Sequence, residues 1–455
     1  MIEGKSIVVA GFARTGQAVT EFLRHFPCRI TVSESRRATE FDSARIHYPS
    51  VAFEFGGHTP ATFLNADLII LSPGIPDTIP VLVQARQKGI PILSEIELAY
   101  RYLKGVLIGI TGTNGKSTTT ELTAAMLNQG GKTAFACGNL GTPLIQYCLS
   151  SKADHYYVAE LSSFQLETIQ KFRPHIAAIL NLTEDHLDRY PNLDAYFRAK
   201  MRIFENQDQS DFAVLNYDDP YLRHNADSIK ANRFWFSRLN VPPTGIYAKD
   251  GLIRVISGGS VVNFNQATLK GVHNLENTLC ASSIALLCGV RNKAMQIALE
   301  QFLPLRHRME LVAEVNGVGY YDDSKATNVD SVVKSLQSFP GNIILIMGGR
   351  DKGGDYAPLR DLIRDKVKGL FLIGEAKARI QSELGNARTP VSFNTLQEAV
   401  QAAYELGRPG DVVLLSPACS SFDMFRDYEH RAQVFRDTVN NLNAENAEGK
   451  NEKKN

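Results

Sequence analysis

The run Gly112-Thr113-Asn114-Gly115-Lys116-Ser117-Thr118 holds the residues best suited to chemistry on a phosphate. Glycines let backbone N–H groups turn toward phosphate oxygens, and a helix starting just after them adds partial positive charge. Lys116 supplies a point charge, and the Ser117 hydroxyl is a donor of the kind that ligates Mg2+ beside a nucleotide. The glycine spacing is irregular. GxxxxGK[ST] asks for glycine at 110, where the chain has Ile110; the nearby glycines are Gly109 and Gly112. The plain alternative is a surface turn capped by Ser117, which leaves Lys-Ser after a glycine without a reason. A weaker signal, Gly11-Phe12-Ala13-Arg14-Thr15-Gly16, lacks GxGxxG spacing. It reads equally as a nucleotide-binding turn or as a tight βα turn with no ligand.

Presenting such a loop takes a strand that ends before Gly112 and a helix that begins after it. Val106 to Thr111 is strand-like, and helical periodicity runs on to Asn128. Upstream, Ser6 to Ala10, Arg29 to Val32 and Ala66 to Leu71 read as strands, with a helix over Gly16 to Phe26. This alternation predicts a parallel sheet with helices on its faces. A helix over Ser94 to Tyr102 leads to a boundary at Lys104-Gly105. Beyond the loop, strands fit Tyr156 to Leu161, Ala177 to Asn181 and Phe212 to Leu215, then a strand-rich patch over 234–269. Two helices follow, and Pro304 marks a second boundary. Glu310 to Tyr321 reads as a hairpin turning at Asn316-Gly317. Strands at Ile343 to Met347, Gly369 to Ile373 and Asp411 to Leu415 then restore the βα rhythm.

The fold class is therefore α/β, with three domains over 1–104, 105–304 and 305–442 and a polar, disordered tail over 443–455. A net charge of +1 gives no global field for nucleic acid or an anionic membrane, so a polyanionic ligand needs a local site. The six cysteines form no CxxC pair and suggest reduced, buried thiols. No leader pattern opens the chain and no apolar run approaches the roughly 20 residues of a membrane span, which predicts a cytoplasmic protein.

Seven strings stand in order along the chain: TGTNGKST (Thr111 to Thr118), ELSSFQLE (Glu160 to Glu167), NLTEDHLDRYP (Asn181 to Pro191), HNLEN (His273 to Asn277), HRME (His307 to Glu310), DDSKATN (Asp322 to Asn328) and SPACSSFDMF (Ser416 to Phe425). Together they resemble the Mur ligases of peptidoglycan synthesis, and most closely the branch that adds D-glutamate. The resemblance covers Gly11 to about Phe435. It implies an N-terminal Rossmann-like domain for a UDP-linked substrate, a central P-loop ATPase-type domain for ATP, and a C-terminal Rossmann-like domain for the amino acid. The implied reaction joins D-glutamate to UDP-MurNAc-L-alanine through an acyl phosphate, giving ADP and phosphate, with no protein partner required.

Site residues follow from the same resemblance. Lys116, Glu160, His186 and Lys200 would form the catalytic set. Ser117 and Glu160 would hold one Mg2+, and His186, with Lys200 if carbamylated, a second. Imidazole is an unusual magnesium ligand, so either His186 positions substrate or the site also accepts Mn2+. Lys200 is otherwise an exposed helix lysine, and His186 a structural histidine. Carbamylation consumes the neutral amine, a minor form at pH 7 for a lysine of pKa about 10.4. ATP would meet Gly112 to Thr118, Asn274, Asn277, Arg308 and Asp323. The UDP end would meet Arg14, Thr15, Glu34, Ser35, Arg36, Gly74 and Asn139, where Glu34 stands in place of the family's aspartate. D-Glutamate would meet Thr327, Lys352, Ser421 and Phe425, with Lys325 reaching phosphate or a carboxylate; for Phe425 the alternative is core packing.

Sister ligases that add L-alanine, a diamino acid or a dipeptide remain alternatives, as does a nucleotide-binding subunit without ligase activity. The missing DNPR string counts against the diamino-acid branch. Glu160, His186 and Lys200 standing together count against the inactive subunit.

Overall fold

A computed structural model describes residues 1–41, 44–139, 141–256, 258–269 and 271–452, with side chains through 444. Three sheets carry the architecture. The β-branched strand Ser6–Ala10 sits at the centre of a five-stranded parallel sheet, flanked by Arg29–Glu34 and Leu68–Leu71 and edged by Ala52–Phe55 and Ile92–Ser94. Val106–Thr111 lies inside a nine-stranded sheet, and the helices Lys116–Gln129, Val272–Leu287 and Asn292–Gln301 cover its apolar residues. The third sheet has six strands. It opens with the hairpin Glu310–Val315 and Val318–Asp322, which turns at Asn316-Gly317, both with positive φ as the tight turn demands.

Four strands escaped the sequence reading: Ala52–Phe55, Ile92–Ser94, Thr133–Gly138 and Pro390–Ser392. Each lies at the edge of its sheet. Such strands are short and have one hydrogen-bonded neighbour, so they lack the long apolar run that marks a central parallel strand.

By packing, the first two sheets form one compact unit, Met1–Leu182 with Tyr196–Phe302. The third sheet forms another, Leu303–Asn455, which also takes in the segment Thr183–Ala195. Where the sequence predicts a tail without structure from 443, the final helix Tyr428–Glu452 continues, over a stretch supplied with helix-forming Ala and Glu. Residues 453–455 of that tail lie outside the described residues.

Within the first unit a buried carboxylate ties the two sheets together. Glu97, fully buried on the helix Glu95–Tyr100, accepts the N–H groups of Gln170, Lys171 and Phe172 at 2.8, 3.0 and 2.8 Å on Oε2. Its Oε1 pairs with Arg101 at 2.7 Å. Glu97→Ala strands those donors without an acceptor and is expected to cost about 3–5 kcal/mol. A denaturant midpoint within error of the parent would contradict this.

Candidate active site

Val106–Thr111 runs parallel between His155–Glu160 and Ile176–Ile179, so three chain segments leave the sheet side by side at one carboxyl edge. Ligands of open α/β sheets gather at that edge. The loop after Thr111 turns through Gly115, whose φ of +85° starts the helix Lys116–Gln129. A Cβ there would stand 2.1 Å from Asn277 Oδ1, so only glycine fits. Asn181, just past the neighbouring strand, holds the loop's shape. Its O accepts the Thr113 N–H at 3.0 Å, its Oδ1 accepts the Asn114 N–H at 2.9 Å, and its Nδ2 donates to Asn114 O at 3.1 Å. Sequence reasoning missed Asn181, although it opens NLTEDHLDRYP. Lys116 Nζ folds over the loop and donates to Gly112 O at 3.0 Å and Thr113 O at 2.8 Å. Ser117 and Thr118 are buried.

Glu160 closes its strand level with Ile110 and is 2% exposed. Asn139, expected at the UDP end, donates through Nδ2 to Glu160 Oε1 at 3.0 Å and so fixes that carboxylate. Burial first, and then the nearby Glu160 charge, push the Glu121 pKa up. Lys200 is not the exposed helix lysine of the plainer reading. It is 1% exposed, donates to Gly112 O at 2.8 Å, and lies 4.3 Å over the Tyr196 ring. Asn277 and Asn274 share a 3.2 Å hydrogen bond on their helix, and the Thr119 hydroxyl donates to Asn277 Oδ1 at 3.4 Å. The structure thus brings the loop, Glu160, Lys200, Asn139 and Asn277 into one neighbourhood. Ser117 and Glu160 are buried oxygen donors at the loop, the donor set that suits Mg2+. His186 belongs to the other unit.

The first sheet holds the remaining UDP-end candidates at its carboxyl edge. Glu34 Oε2 accepts the Phe12 N–H at 2.8 Å, and its Oε1 accepts Arg36 N–H at 3.0 Å and Arg36 Nε at 3.2 Å. The Ser35 hydroxyl adds a 3.4 Å contact. Burial would raise the Glu34 pKa, but the Arg36 side chain, its N–H and the Phe12 N–H outweigh it and hold the value at about 2. Glu34 therefore staples the Gly11–Gly16 turn to Arg36, which rests 4.6 Å over the Phe41 ring. Arg14 and Thr15 begin the helix Arg14–Leu23, with Arg14 Nη1 donating to Gly141 O at 3.3 Å. Gly74 lies in the turn after Leu68–Leu71.

In the second unit, Val318–Asp322, Val412–Leu415 and Ile343–Gly348 lie adjacent and parallel, and their outgoing loops carry the other candidates. Lys352 Nζ donates to Asp185 Oδ1 at 3.2 Å and to Thr327 Oγ1 at 3.3 Å. Asp185 also accepts Asn328 Nδ2 at 3.1 Å and the His186 N–H at 2.9 Å, and His186 is held at a φ of +56°. Asp185 was a further omission, a carboxylate whose side-chain partners Asn328 and Lys352 lie more than 140 residues away in the chain. Asp323 is enclosed by its own unit, accepting the Ser335 and Ser416 hydroxyls at 2.6 and 2.7 Å; burial first of all lifts its pKa to about 6. Arg308 sits between His307 and Met309, both at positive φ. Lys325 Nζ lies 3.8 Å over the Tyr428 ring. Ser421 is buried, and Phe425 is partly buried against the core. His307, Glu310 and Asp322 are spaced like metal ligands, but the Arg436 guanidinium pairs with both carboxylates and supplies the cation itself.

Family models match along the chain: a MurD-like N-terminal domain of Mur ligases at 5–94, the Mur ligase middle domain at 110–285, and the Mur ligase glutamate ligase domain at 307–419. The chain is 48% identical to the UDP-N-acetylmuramoylalanine–D-glutamate ligase of Geotalea daltonii, over 97% of this chain and 98% of that one. It belongs to the Mur ligase family. The corresponding ligase of Citrifermentans bemidjiense is 47% identical over 96% of this chain and 98% of its own. Among solved structures, the UDP-N-acetylmuramate–alanine ligase of Thermotoga maritima superposes with a TM-score of 0.64 at 19% identity, covering 96% and 99% of the two chains. At that identity the likeness speaks for the Mur ligase fold alone. The middle-domain match spans the phosphate loop, Glu160, His186, Lys200, Asn274 and Asn277, and the C-terminal match spans Arg308, Asp323, Thr327 and Lys352. Ser421 and Phe425 fall just past it. Among the described residues, no helix of this Mur ligase is long and apolar enough to cross a membrane.

Proposed function

We propose that this chain is the ATP-dependent ligase that joins D-glutamate to UDP-N-acetylmuramoyl-L-alanine in the cytoplasm. The observation that carries the proposal is near-50% identity, end to end, with ligases named for that reaction. The first sheet would hold the UDP end, the second ATP and the third the amino acid. The alanyl carboxylate takes the γ-phosphoryl group of ATP, giving an acyl phosphate and ADP. The D-glutamate amine then attacks the carbonyl carbon; the C–N bond forms, the C–O bond to phosphate breaks, and the amine sheds a proton. Loop N–H groups, the helix start and Lys116 hold the phosphates in line, since phosphoryl transfer is mostly positioning and charge stabilisation. Ser117 and Glu160 would hold Mg2+, which when bound neutralises charge on the phosphate oxygens. Lys352, beside Thr327, offers a cation to an acceptor carboxylate.

The test supplies ATP, Mg2+ and UDP-MurNAc-L-alanine with a panel of amino acids, reading phosphate release and product mass. D-Glutamate is expected to turn over. Turnover with L-lysine or diaminopimelate in its place would sink the assignment.

A further inference from the structure

The glycine-rich loop 348–355 carries Lys352, and its shape is held from behind. Asp351 accepts the Gly353 N–H and the Tyr356 hydroxyl on Oδ1, each at 3.2 Å, and the Arg379 guanidinium on Oδ2. Arg379 also donates through Nη2 to Gly354 O at 2.7 Å and through Nε to Glu383 Oε1 at 2.9 Å. One guanidinium therefore holds the loop on both sides of Lys352, at 351 and at 354. The planar fork does this through separate nitrogens, Nη1 toward Asp351 and Nη2 toward Gly354.

Tyr356 joins this loop to the next. It is 1% exposed, and its hydroxyl lies 3.1 Å from Cys419 Sγ. Burial first, then Cys419 and Asp351, push the Tyr356 pKa up and keep its proton in place. Cys419 precedes Ser420, which exchanges two backbone hydrogen bonds with Arg350, at 2.9 and 3.0 Å. The approach is close enough that a Cβ on Gly349 would stand 2.3 Å from Ser420 O.

We propose that Arg379, Asp351 and Tyr356 form a positioning network that sets where the Lys352 ammonium stands, and through it how tightly and selectively the acceptor's distal carboxylate is held. This rests on the reading above that Lys352 meets that carboxylate. The three residues act through the backbone on either side of Lys352. A loosened loop would let the ammonium follow a shorter diacid, so discrimination against D-aspartate, one methylene shorter, reports on the network directly.

The experiment compares Tyr356→Phe, Arg379→Lys and Lys352→Ala in steady-state kinetics and thermal melts. Tyr356→Phe removes one oxygen and keeps the ring, so a folded variant is in hand whatever Arg379→Lys does. For Tyr356→Phe and Arg379→Lys, the KM for D-glutamate is expected to rise about 10-fold. KM for ATP and kcat should stay within about twofold, and the preference over D-aspartate should narrow. If Lys352→Ala raises the D-glutamate KM while the other two do not, the network proposal fails alone. If Lys352→Ala leaves that KM unchanged, the acceptor-site reading fails and the proposal with it. A fall in melting temperature with both KM values moving together would mark a merely structural role and overturn it.

Discussion

Lys116→Ala is expected to leave a folded protein that releases phosphate about 10³-fold more slowly at saturating substrates. In the structure the Lys116 ammonium is shared by two neutral carbonyls, Gly112 O and Thr113 O. A phosphate oxygen carries the opposite charge, which a neutral carbonyl lacks, so a bound nucleotide would draw the ammonium toward it. Removing a cation aimed at a transferring phosphoryl group costs roughly 3–4 kcal/mol of transition-state stabilisation. Of the carbonyls left behind, Gly112 O keeps its bond from Lys200 Nζ at 2.8 Å, so the melting temperature should shift little. A drop below tenfold in kcat would remove Lys116 from the reacting centre.

Gly115→Ala is expected to raise the KM for ATP at least about tenfold, through backbone and contact together. At a φ of +85° any L side chain is strained, by about 1–2 kcal/mol. The new methyl would also stand 2.1 Å from Asn277 Oδ1 and 3.4 Å from Leu180 Cδ1. Neither neighbour yields easily, since Asn277 is 4% exposed and bonded to Thr119 and Asn274. The loop would have to move, and its N–H groups with it. Adding Asn277→Ser separates the two causes: the contact is relieved while the backbone strain remains. Double-mutant coupling near zero, with an unchanged ATP KM in the single variant, would contradict this account.

Both predictions stand on features legible in the sequence itself. A strand, a glycine turn, Lys-Ser and a helix are written in adjacent residues, and the hairpin at Asn316-Gly317 is equally local. The illegible parts share the opposite property. Glu97 and Asp185 are carboxylates that a sequence presents as surface charge, and each is buried against donors far along the chain. The family's pattern points Asn139 at the UDP end. Its amide also bonds Glu160, a neighbour that the pattern does not announce, created by the pairing of Thr133–Gly138, an edge strand without a strong apolar signature, with His155–Glu160. Lys200 is ambiguous in sequence because a helix lysine gives no sign of which face it occupies; burial decides it.

The segment Thr183–Ala195 packs with Leu303–Asn455 although the chain returns afterwards to the first unit. Asp185, on that segment, is the carboxylate that Lys352 and Asn328 bond. The candidate acceptor site is therefore not inherited as one contiguous cassette. A recombination event joining two relatives at residue 303 would transplant Lys352, Thr327 and Ser421 while leaving their companion carboxylate with the other parent.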